Sequence, residues 1–138
     1  MAVMSSRPKT RSPRRCPCGG MPPYDECCGP AHAGTSPAAT AEALMRSRYC
    51  AFAMGDAAYL LRSWHPTTRP KALDLQQGPR WERLEIVATT GGGLLHVDGT
   101  VEFRAYYRTP DGSPGVMHEV SRFVREKGQW TYLDGHQF

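Results

Sequence analysis

The sequence predicts an α+β protein in which a small cysteine knuckle is followed by helices and then by an antiparallel sheet that the helices cover. Three observations predict it. Apolar residues between 41 and 64 recur at the spacing of one helical face, from residue 81 the period changes to two, and four cysteines crowd into residues 16–28. At 138 residues there is room for one core and a small appendage.

The chain opens on a basic leader. Residues 1–15 carry Arg7, Lys9, Arg11, Arg14 and Arg15 and no acid, a charge of +5, whereas the whole chain carries +4. The basic excess therefore sits entirely in the leader, which lacks aromatic residues and reads as a disordered tail. Such a tail suits contact with RNA, the ribosome or an acidic lipid surface, and the plainer reading is a solubilising leader without a fixed partner. No apolar run of membrane-spanning length occurs and no apolar segment follows the basic residues, so a cytoplasmic setting is expected.

Residues 16–30 form the knuckle. Cys16, Cys18, Cys27 and Cys28 have the spacing C-x-C-x8-C-C in a window with nothing like a core, so apolar burial cannot fold it. One structural zinc would supply the missing stabilisation, and four thiolates complete a tetrahedral shell. Gly19 and Gly20 let the chain turn behind Cys18. Disulfides need an oxidising compartment, and neighbouring cysteines such as Cys27 and Cys28 pair poorly. The compact spacing also suits one metal better than an iron–sulfur cluster. His32 is the alternative fourth ligand if Cys28 points away.

A small-residue linker, 31–39, leads to the main domain, 40–138. Thr40 is a plausible N-cap, and Ala41, Leu44, Met45, Tyr49 and Phe52 share a helical face that Gly55 ends. Cys50 lies off that stripe and reads as a small helix residue. Asp56 caps a second helix with Leu60, Leu61 and Trp64 inward, and Pro66 requires it to end at His65.

Strands follow. Trp81–Thr89 places Leu84, Ile86 and Ala88 on one face, and Thr90 through Gly93 turn. Leu94–Arg108 reads as a strand bent near Asp98–Gly99, with Val101, Phe103, Ala105 and Tyr107 alternating against polar neighbours. Pro110–Asp111–Gly112 turns, Val116–Glu126 is the next strand, and Lys127–Gly128 turns into Trp130–Asp134. A sheet with one face under the leading helices buries both apolar faces.

The string CPCGG…YDECCG resembles the SEC-C motif, a zinc knuckle found at the end of the bacterial secretion ATPase and in stand-alone proteins. The segments LMRSRYCAFAMGD, YLLRSWHPTTRP and HEVSRFVREKGQWTYLDG resemble the YchJ family, so that the likeness runs from Cys16 over nearly the whole chain. The resemblance implies a cone-shaped nuclear-transport-factor or cystatin-like fold, in which helices close a curved sheet into a pocket, and it suggests a homodimer through the exposed sheet face. This knuckle departs from the motif in lacking its Ser-Gly and lysines, and so lacks a basic face.

That fold would place Tyr49, Trp64, His65, Arg69, Glu102, His118, Glu119 and Arg122 near a pocket. On their strand His118 and Glu119 point to opposite faces, with Glu102 available to orient His118. Arg46, Arg48 or Arg122 offers bidentate donors to an acidic ligand. No nucleophile elbow or phosphate loop singles out a reaction. The first functional reading is an interaction or recruitment module that acts through the N-terminal segment on a protein or ribosome/RNA partner. The alternative is a small-molecule binder, or an enzyme of dehydratase, isomerase or hydrolase type, that uses the pocket. A third reading makes the zinc a staple for the N-terminus.

Overall fold

The computed structural model describes residues 15–138. The expected disordered leader therefore lies outside the described residues except for Arg15, which is exposed and bridges to Pro23.

The knuckle runs through a 3-10 turn, Tyr24–Glu26, into a short helix α1, Gly29–Ala33, with Pro30 in its first turn. This helix crosses the boundary expected after residue 30. Helix α2, Ala41–Met54, starts where Thr40 accepts a hydrogen bond from the Ala43 amide, and Gly55 ends it. Helix α3, Ala57–Arg62, is capped by the Asp56 carboxylate on the Tyr59 amide. It stops three residues short of His65. Ser63 is its C-cap, and the chain then joins the sheet as the Tyr132 amide donates to Ser63 and the His65 amide donates to Tyr132. Sheet pairing ends this helix before Pro66 has any say.

The sheet is an antiparallel meander in the order β1 (Arg80–Gly91), β2 (Asp98–Arg108), β3 (Pro114–Glu126) and β4 (Gln129–Gln137). The second strand begins at Asp98, later than expected. Residues 92–97 form a loop, whose carbonyls at Gly93, Leu94 and His96 are gathered by the Arg125 guanidinium. Irregularities at Trp81/Arg83, Ile86/Ala88 and Arg122/Phe123 bend the sheet. The second of these breaks the alternation and leaves Ala88 exposed.

Val101, Phe103, Ala105, Ser121, Phe123 and Trp130 on the inner face are buried. Helix α2 lies across this face and touches β1, β2 and β4. The outer face carries the ion pairs Arg104–Glu85, Arg108–Glu82, His118–Glu102 and Arg122–Asp134. Among the described residues no helix is long and apolar enough to cross a membrane.

Candidate functional site

Two features flank α2. The first is the knuckle. The sulfurs of Cys16, Cys18, Cys27 and Cys28 all lie within 4.8 Å of one another, with Cys16, Cys18 and Cys28 buried, and they could hold one metal ion. Gly20 sits against this cluster so closely that a Cβ there would meet Cys27 Sγ at 2.8 Å, and its amide donates to Cys18 Sγ at 3.3 Å. Burial pushes the Cys16 and Cys27 thiols up, and the hydrogen bond with Cys28 does the same to Cys18. Without a cation this donor set disfavours thiolates; a divalent ion at its centre reverses that balance. The donors fit a metal.

His32 does not join them. Its Nε2 donates to the Ser47 carbonyl at 2.8 Å, which in the neutral ring leaves Nδ1 to accept from the Tyr24 hydroxyl at 2.7 Å. Both nitrogens are occupied, and the histidine instead ties the knuckle to α2. Arg46 does the same through the Cys18 carbonyl, as does Arg62 of α3 through the His32 carbonyl. Cys50, read from sequence as an unremarked helix residue, is fully buried on α2 with its sulfur 3.7 Å from that of Cys16. The knuckle thus shares one core with Leu44, Tyr49 and Val101.

The second feature is a cavity of about 190 Å³ between α2 and the inner face of the sheet. Its walls are largely aromatic and thioether groups, among them Tyr49, Trp81, Phe103 and Met117. Arg48 enters it from α2, 3% exposed. Nη1 of Arg48 donates to the Leu60 carbonyl and to Ser63 Oγ, both at 2.8 Å. Its guanidinium carbon lies 4.9 Å from the Trp64 ring centroid and 4.5 Å from that of Tyr132. Burial pushes this guanidinium down to about 10, although Tyr132, Tyr59 and Glu119 partly offset the effect. The arginine therefore stays charged at neutral pH.

Glu119 faces the cavity from β3, held by the Ser121 and Tyr132 hydroxyls. Its carboxylate occupies the space over Gly135, where any Cβ would collide with it. Trp64 Nε1 is buried and has no hydrogen-bond partner.

Of the pocket residues expected from sequence, Tyr49, Trp64 and Glu119 border this cavity. The others lie elsewhere. His65 pairs with Glu126 at 3.3 Å, Arg69 is exposed and donates to the Trp64 carbonyl, and Arg122 is exposed against Asp134. His118 and Glu102 meet at 2.7 Å on the outer face, so the orienting contact exists but not in the cavity. Arg48 joins as the cavity's cation, while Arg46 serves the knuckle. Tyr132, Ser121 and Met117 also line the cavity, and strand alternation around Glu119 is the signal that could have found them.

Residues 40–135 match the family model described as the YchJ middle NTF2-like domain. A UPF0225 protein of Streptomyces coelicolor is 58% identical over 120 residues, which cover 87% of this chain and 93% of that one. One from Deinococcus radiodurans is 48% identical, with 86% of each covered. The solution structure of a SEC-C motif containing protein from Rhodopseudomonas palustris superposes with a TM-score of 0.79 at 35% identity, covering 89% of this chain and 98% of that one. The crystal structure of a SEC-C motif containing protein from Psychrobacter arcticus gives 0.70 at 35% identity, covering 86% and 80%.

Proposed function

The chain belongs to the YchJ family of UPF0225 proteins, with an N-terminal SEC-C motif before an NTF2-like domain, and on that premise we propose that it binds a small organic ligand inside a cone that a structural zinc holds in shape. The observation that carries the reading is the cavity itself: an aromatic-walled space into which a buried arginine and a buried glutamate project. Polar groups buried in an apolar box cost stability unless something satisfies them. A few convergent polar groups in a largely apolar concavity is also the usual make-up of a ligand site.

Cys16, Cys18, Cys27 and Cys28 are the zinc ligands in this reading. Four thiolates close the shell and leave no position for water or substrate, so the metal supplies stability and not chemistry. Recruitment through the knuckle ranks second. Three of its four sulfurs are buried, and it is tied to α2 and α3 by Arg46, His32 and Arg62, which suits a staple better than a free module. Catalysis has less support than binding, because the His118–Glu102 pair faces away from the cavity.

The test is to titrate zinc-loaded protein with one-ring organic compounds while following tryptophan fluorescence, beside an Ala105→Phe variant that fills the cavity. Saturable binding by the native chain, lost in a variant that keeps its unfolding midpoint, is the expected result. Equal binding by both proteins, or none by the native chain, removes the ligand-site reading.

A further inference from the structure

We infer that the ligand of this cavity is a small monocarboxylic acid with a flat apolar body, its carboxylate received by the Nε–Nη2 edge of Arg48. The inference rests on the reading of the cavity as a ligand site and names the chemistry that the site selects.

Arg48 spends only one of its nitrogens on the protein. Nη1 makes both of its hydrogen bonds, while Nε and Nη2 have no partner among the described residues. These two nitrogens form the edge of the guanidinium fork that matches a carboxylate. No carboxylate of the described residues sits at that edge, and Glu119 acts on Arg48 only from beyond ion-pair distance. Glu119 shares the cavity but forms no ion pair with Arg48, and its Oε2 is already taken by the hydroxyls of Ser121 and Tyr132. A buried cation without a close anion is a costly arrangement, which an anionic ligand relieves. The Trp64 and Tyr132 rings lie against the same guanidinium and leave its Nε–Nη2 edge as the polar opening of the site.

Size and wall chemistry narrow the class. A cavity near 150 Å³ accepts benzene, and about 190 Å³ leaves room for one ring and a carboxyl group. The Trp81, Phe103 and Met117 walls favour an unsaturated or aromatic body. One cation, already partly offset by Glu119, has no charge to spare for a second anionic group, which disfavours phosphate esters and dicarboxylates.

The experiment compares benzoate, benzamide and benzyl alcohol, which share a ring and differ in the group offered to Arg48, at neutral pH with zinc-loaded full-length chain. Calorimetry and tryptophan fluorescence follow binding. Benzoate is expected to bind at least tenfold more tightly than either neutral compound. The Arg48→Lys variant, which keeps the charge and removes the fork, is expected to lose at least tenfold in benzoate affinity while changing little toward benzyl alcohol. Neutral compounds that bind as well as benzoate overturn the carboxylate assignment and leave the cavity a ligand site. Equal losses for all three compounds in Arg48→Lys overturn the role of the fork. No binding of any of them by the native chain, where Ala105→Phe also changes nothing, overturns both readings together.

Discussion

The knuckle and the cavity lie against the same helix and solve opposite problems. In the knuckle four donors converge within 4.8 Å on one point, so a single ion can satisfy all of them at once. In the cavity the polar groups of Arg48 and Glu119 are set around a volume and do not converge on an ion-sized point. Converging donors of one kind make a permanent, closed structural site. Dispersed donors and acceptors around an open space suit a molecule that arrives and leaves. The difference teaches that buried polarity alone does not reveal function; its geometry does.

Breaking the knuckle gives the largest effect. Cys18→Ser, or removal of metal from the native chain with a chelator, is expected to abolish cooperative unfolding of the whole domain. The scale follows from a structural zinc contributing roughly 10 kcal/mol or more in small peptides, against about 5–15 kcal/mol for a whole domain. Thermal denaturation with parallel metal analysis checks it. An unchanged midpoint in metal-free protein would mean that knuckle and domain are independent, despite the contacts from Arg46, His32 and Arg62.

Disturbing the cavity gives a smaller, local effect. Gly135→Ala pushes the Glu119 carboxylate off its seat and away from the Ser121 and Tyr132 hydroxyls. A cost of about 2–3 kcal/mol is expected, from overpacking and a disturbed buried carboxylate, with zinc content unchanged. Chemical denaturation and metal analysis report the two quantities separately. Loss of zinc in this variant would erase the distinction drawn between the two regions.

Cys50→Ala sharpens the comparison with the smallest change. Its sulfur lies 3.7 Å from that of Cys16 but belongs to α2 and not to the converging set. A loss of about 1 kcal/mol, ordinary for a single substitution, with zinc retained at one per chain, is the expected outcome. A fall in zinc content would make Cys50 a ligand and redraw the knuckle's boundary.

Local chemistry was legible throughout. The Thr40 and Asp56 caps, the Gly55 stop, the change of period near residue 81 and the Lys127–Gly128 turn each depend on neighbours within a few residues, and each appears in the structure. The cysteine cluster was equally plain, because all four members lie within residues 16–28. Opposite facing of His118 and Glu119 followed from strand alternation alone.

Tertiary structure decided the rest. Arg48 lies one residue before Tyr49 and three after Met45, and the sequence offered it only as one of three arginines for an acidic ligand; the choice among them came from Trp64 and Tyr132, which arrive from elsewhere to cover it. The end of α3 was set by pairing with β4, 69 positions beyond Ser63, where sequence offered only Pro66. His32 stayed out of the cysteine cluster because Ser47 and Tyr24 claim both imidazole nitrogens. The sequence by itself determined the elements, their order and the spacing of the cysteines, since these rest on the residues themselves and on short-range sterics and hydrogen bonds. Which polar groups became buried, and which of them were left without partners, depended on contacts across dozens of residues, and those exist only once the sheet has closed against the helix.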